Sequence, residues 1–147
     1  MQIRKVFLPL AALLTLAGLI GSLAYNADEP LTSWQLLAKV KVSPGLFGDA
    51  ETIFDPSIKA LNQTDISLAG YMFPVQAGIS VRRFILSAKP PTCATCMPGG
   101  SEAMVLVNSP QPIKVSTERM HIKGQFKIAQ EMGLFYQLDM ASAPAAR

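Results

Sequence analysis

The chain is short of the residues that most often carry chemistry. Among its 147 residues are two cysteines, one histidine and one tryptophan, and aromatics make up 7%. A single histidine, His121, with serines and threonines scattered far from it, leaves no nucleophilic triad. Asp55, Asp65 and Glu102 are isolated carboxylates with no second acid for general acid–base work. A closed structural zinc site needs four nitrogen or sulfur ligands, and Cys93, Cys96 and His121 supply three at most. Catalytic residues are therefore assigned to none, and the sequence argues against an enzyme.

One-signed charge is missing as well. The formal net charge of +3 includes Arg4 and Lys5 in the first 24 residues, which hold no acid. Without that stretch, 11 bases face 10 acids. So balanced a domain, with few aromatics, has neither the electrostatic footprint nor the stacking platform of a nucleic-acid binder.

What is present begins with a leader. Met1–Lys5 is short and basic, and an uncharged run follows from Val6 to Tyr25. This is the pattern of a secretory signal, and the small residues of Ser22-Leu23-Ala24 place cleavage after Ala24. The run is also long enough to span a bilayer, so residues 6–25 would serve as an inner-membrane anchor if left uncleaved. Either way the remainder is expected outside the cytoplasm, in the periplasm, with membrane contact only through a retained leader.

The rest suits one small domain. Residues 25–57 read as an N-terminal arm: Thr32 or Ser33 caps a short helix over Trp34–Val40, and 44–57 is loop-like. Residues 58–141 read as the main domain and 142–147 as a frayed tail. Ser57–Leu61 is a short apolar-polar piece. Strand patterns then run over Asp65–Val75, Ile79–Ser87, Glu102–Asn108, Arg119–Ala129 and Gly133–Met140. Pro110-Gln111-Pro112 reads as a break, after which Ile113–Val115 is briefly extended. Five to six closely spaced strands with one short helix predict an all-β fold. Gly70 and Gly124, each inside a strand pattern, point to the sharp bends of a small OB-like β-barrel. Most methionines outside the leader (Met72, Met104, Met120, Met132 and Met140) are expected to fill the core.

The cysteines stand as Cys93-Ala94-Thr95-Cys96, after Pro90-Pro91 and before Met97-Pro98-Gly99-Gly100. This is a shaped loop between strands. Three chemistries fit the pair. An oxidising compartment favours a disulfide that clips the loop into a protein-interaction surface. Soft-metal binding, to copper(I) or zinc, would use Cys93 and Cys96 as thiolates with Met97 or His121 as third ligand. Thiol–disulfide redox chemistry usually sets the motif at a helix N-terminus, which is lacking here; Arg82, Arg83 and Lys89 are the bases available to lower a thiol pKa. His121 alternates with Met120 and Ile122, which places it on the outward face of its strand.

These stretches resemble the exported bacterial family designated domain of unknown function 3299. Trp34-Gln35-Leu36-Leu37 is similar to its leading motif, and Ile66–Val75 to its strand, glycine, aromatic, Met-x-Pro signature. Phe84–Ser87 through Cys93–Gly100 resembles its strand and cysteine loop. Met120–Phe126 with Gly133–Leu138 resembles its closing hairpin. The resemblance covers roughly residues 32–141 and implies an OB-like barrel without an established activity. Some family members sit beside transporters linked to metal uptake, which implies a membrane transporter or periplasmic complex as partner. Members commonly carry an aromatic inside the cysteine loop where this chain has Ala94-Thr95.

Overall fold

A computed structural model describes residues 32–44, 50–93 and 96–141. The leader expected over residues 1–24, its reading as an anchor over 6–25, and the tail 142–147 lie outside the described residues. Among the described residues, no helix is long and apolar enough to cross a membrane.

The elements in order are α1 (Trp34–Leu37), β1 (Lys41–Pro44), β2 (Ala50–Ile53), α2 (Pro56–Leu61), β3 (Asp65–Pro74) and β4 (Ser80–Ser87). A 3-10 turn (Ser101–Ala103), β5 (Met104–Lys114), β6 (Arg119–Glu131) and β7 (Leu134–Asp139) complete it. The fold is mostly β. β1 and β2 pair only with each other, and the other five strands pair in the order β3-β4-β5-β7-β6 and back to β3, forming a closed barrel. β3 makes closure possible by serving two neighbours. Asp65 to Tyr71 pair with β6, and Tyr71 to Pro74 pair with β4. Gly70 stands beside this change of partner, where a Cβ would meet the Ser87 carbonyl oxygen at 2.6 Å.

The alternation read from sequence is the alternation of the core. Ile66, Leu68, Met72, Phe84, Leu86, Val105, Val107, Ile122, Phe126, Tyr136 and Leu138 point inward and are buried together. The arm closes one end. Ser33 caps α1 by accepting from the Gln35 amide at 3.1 Å, Leu37 is fully buried, and Trp34 Nε1 donates to the Ala69 carbonyl at 2.8 Å. Tyr136 Oη donates to the Leu37 carbonyl at 2.7 Å and ties the helix to the barrel interior.

Five details depart from expectation. The piece at Ser57–Leu61 is not extended: it is α2, capped by Asp55 accepting from the Ser57 amide at 2.9 Å, with Pro56 pre-set in the first turn. Bonds from the Ser57 hydroxyl and amide hold the Asp55 carboxyl below its ordinary value. Residues 44–57, expected as loop, include β2 and the end of β1. The helix expected to run on to Val40 stops at Leu37. Pro110 and Pro112 do not end β5. Arg83 pairs with Asn108 and Val81 with Ile113, so the intervening residues of β5 form a bulge. The prolines, which have no N–H for a ladder, sit in that bulge, and Arg82 Nη1 donates to the Pro110 carbonyl at 2.8 Å. Among the methionines, Met132 is not core: it sits at 55% exposure in the β6–β7 turn, at φ 55°.

Candidate functional site

The cysteine loop leaves the barrel at Ser87 and returns at Met104, two residues paired across β4 and β5. Its base is fastened by backbone bonds, Ala88 N–H to Ala103 at 3.0 Å and Ala103 N–H to Gly100 at 2.9 Å. Ser87 Oγ accepts from the Lys89 amide at 3.2 Å, and Ser101 Oγ donates to the Gly133 carbonyl at 2.6 Å. The second bond joins the loop to the β6–β7 turn.

Within the loop Cys93 and Cys96 are joined by a disulfide, with Cα atoms 5.1 Å apart. So short a ring adds little by chain entropy, but it fixes the shape of the segment. Met97, next to it, is 52% exposed, and Pro90, Gly99 and Gly100 are exposed too. The described part of the loop thus exposes Pro90, Met97, Gly99 and Gly100 to solvent, and the loop's only charge before Glu102 is Lys89.

The four residues singled out as a metal set separate into two places. Cys93, Cys96 and Met97 share the loop, whereas His121 is on β6, exposed and in register with Ala69. Among the described residues no three His, Cys, Asp or Glu side chains are grouped to hold a metal. Sulfurs bonded to each other are not thiolates, so metal binding at Cys93 and Cys96 requires prior reduction. Met104, the other thioether near the loop in sequence, is 2% exposed and buried. Arg82 and Arg83 are committed elsewhere: Arg82 to Pro110 and Arg83 to an ion pair with Glu131.

Sequence reasoning missed a polar network on the outer face. Asp139 accepts from Lys127 Nζ at 2.7 Å, from Asn108 Nδ2 at 2.8 Å and from Gln137 Nε2 at 2.8 Å, joining β5, β6 and β7. Partial burial pushes its carboxyl up, but the three donors and the Lys127 charge outweigh burial and hold it below the ordinary value. A depressed carboxyl stabilises the fold above its unfolded pKa, about 3.9, and that contribution disappears as pH falls through the lower folded value. Chemical denaturation from pH 6 downward should therefore show an acid-side loss that Asp139→Asn lacks. Parallel pH profiles for the two proteins would rule the network out as its source. The outward alternation of Gln137 and Asp139 was the available signal, but it did not name partners on other strands.

No protein-family model and no curated protein matches the chain. Among solved structures, a DUF3299 family protein from Pseudomonas aeruginosa PAO1 superposes with a TM-score of 0.50 at 21% sequence identity. The match covers 68% of this chain and 66% of that protein, so the chain spans about two thirds of its length. The chain thus shares its fold with a DUF3299 family protein, the family that its Trp34, Gly70–Pro74 and Cys93–Gly100 stretches resemble.

Proposed function

We propose that this chain is an exported, non-enzymatic binding module of the DUF3299 family, with an OB-like barrel that presents the Cys93–Gly100 loop to a protein partner. Support for the OB-like reading is the strand order with its parallel β5–β7 pair, and the division of β3 between two neighbours. The observation that carries the docking reading is the disulfide on a loop fastened at both ends, with Met97 held out into solvent beside it. A segment whose shape is fixed before binding loses little conformational freedom on docking, and an exposed thioether adapts to an apolar pocket. A membrane transporter or another periplasmic protein is the partner class that the family resemblance favours.

The test is capture of membrane and periplasmic proteins by the tagged chain, compared with Met97→Ser and Gly99→Trp variants. Loss of the same captured protein in both variants, with thermal melting unchanged, supports docking through the loop. Undiminished capture by both variants counts against it. Soft-metal handling is the second reading and rests on the Cys93, Cys96 and Met97 sulfurs sharing one loop. It requires the reduced protein to retain copper(I) or zinc against a competing chelator, and Cys93→Ser to abolish retention. His121, on β6, is then the ligand least expected to matter.

A further inference from the structure

Besides the barrel interior there is a second apolar cluster: Ile85, Met104, Leu106 and Leu134, with Phe73 and Val75 packed against it. Phe84, Leu86, Val105 and Val107 point into the main core, so alternation puts Ile85, Met104 and Leu106 on the outer face of β4 and β5. Phe73, Ile85, Leu106 and Gln137 are paired in one row across four strands. Apolar residues in such a row belong to a solvated face unless something covers them.

The cover includes the tip of the β6–β7 hairpin. Leu134, the first residue of β7, enters the cluster, and Glu131, its pairing partner, makes the ion pair with Arg83. Register places Arg83 in line with Asn108, Asp139 and Gln125, six residues short of Glu131 along β6. The tip must therefore bend back over the outer face, and a register shift between Ile128 and Glu131 marks where it bends. Two side-chain contacts fasten it: the Ser101 hydroxyl donates to the Gly133 carbonyl at 2.6 Å, and Glu131 pairs with Arg83. The Arg83 and Glu131 side chains are 39% and 47% exposed, and an ion pair so exposed contributes little. At the turn itself Met132 adopts a left-handed conformation that Asn or Gly favours in two-residue hairpins.

Arg83 is also only partly used. Glu131 engages Nη2, while Nε is buried with no hydrogen-bond partner. A guanidinium presents its donors as a fork suited to both oxygens of one carboxylate. The tip thus lays an aliphatic side chain on an apolar row and a carboxylate against an under-satisfied arginine. We propose that Leu134 and Glu131 are the built-in occupants of a binding site for a straight-chain aliphatic carboxylate. With the tip lifted, the ligand's chain lies on Ile85, Met104 and Leu106, and its carboxylate takes both Nε and Nη2 of Arg83. Neither cysteine takes part, although Ser101, at the return of the cysteine loop, must release the Gly133 carbonyl for the tip to lift.

Isothermal titration of the full chain with decanoate, and with decanol as an uncharged match, tests the proposal. Saturable one-site binding of decanoate is expected, with decanol at least about tenfold weaker, because a hydrogen-bonded charge is lost. Glu131→Gln weakens the competing occupant and should tighten decanoate binding by about two- to fivefold. Arg83→Gln should weaken it by about tenfold or more. Should Arg83→Gln fail to fold, Arg83→Lys, which keeps the charge and loses the fork, takes its place. Methyl resonances of Ile85 and Leu106 should shift on titration. Absence of saturable binding to the Glu131→Gln protein, equal affinity for decanol, unchanged affinity in the arginine variant, or shifts confined to other methyls would each overturn the site.

Discussion

Gly124→Ala is expected to destabilise the domain by about 3 kcal/mol, a large share of the total stability of a domain this size. Gly124 is buried in β6, and the Cβ that alanine adds would run into the Asp139 carbonyl oxygen and a Leu138 methyl of the neighbouring β7. Real Cβ atoms do not approach that closely, and the obstacle includes backbone rather than the end of a flexible side chain. The β6–β7 ladder must spread, and it holds the Lys127–Asp139 pair as well as the Phe126–Leu138 core contact. Gly70→Ala should act the same way at the β3–β4 junction, against Ser87. Denaturant unfolding monitored by circular dichroism measures both, and midpoints within error of the parent would refute the close-approach explanation.

Tyr136→Ala should cost about 3–5 kcal/mol, the range for removing a large buried side chain. The ring is fully buried and packs near Phe54, Phe126 and Phe135, with centroid separations of 6.0, 5.4 and 6.1 Å. Tyr136→Phe isolates the other role of the residue. It keeps the ring but leaves the Leu37 carbonyl without its donor, at a cost of about 1–2 kcal/mol. Trp34 is the chain's single tryptophan and rides on the same helix, so its fluorescence should shift to the red as α1 loosens. Alkaline pH gives a second readout. Burial, and then the Glu102 charge, push the Tyr136 hydroxyl up to about 12. Its stabilisation is complete below the unfolded value of about 10 and is lost as pH rises through the folded value. Tyr136→Phe should lack that alkaline loss. An unchanged fluorescence maximum and an unchanged alkaline profile would contradict the tie between barrel and arm.

Much of the barrel was legible because its faces differ. Ile66 and Leu68, or Ile122, Gly124 and Phe126, alternate with polar neighbours, and period two survives in the buried set. Gly70 and Gly124, both mid-strand, are the described glycines whose added Cβ would run into the backbone of a neighbouring strand. Ser57–Leu61 was misread because five residues are too few to tell period two from 3.6. The cue was local, Asp55 and Pro56 as cap and first turn. The β5 prolines looked like an end because a bulge needs a partner strand to be recognised. Val81 and Arg83 supply that partner from a distant strand, pairing with Ile113 and Asn108. The parallel β5–β7 pair carries no signature of direction in either segment.

The site was legible to a different degree. Spacing alone brought Cys93, Cys96 and Met97 to one loop, since neighbours in sequence stay neighbours in space. His121 could be placed on an outward face but not beside the loop, because that depends on the order of five strands. The same holds for Arg83 with Glu131, which are 48 residues apart, and for the three donors on Asp139. Arg82 and Arg83 are neighbours in sequence, yet Arg82 is exposed whereas Arg83 is half-buried with its Nε enclosed.

The central claim is that the loop works as a disulfide-clipped docking surface. Its most direct test is the intact native mass of the chain recovered from the periplasm without reductant. The expected mass is lower than that of the dithiol by the two hydrogens of the Cys93–Cys96 bond, with no ion attached. A mass carrying one copper or zinc ion, with both thiols open to alkylation once the ion is stripped, would contradict it and make metal handling the function of the loop.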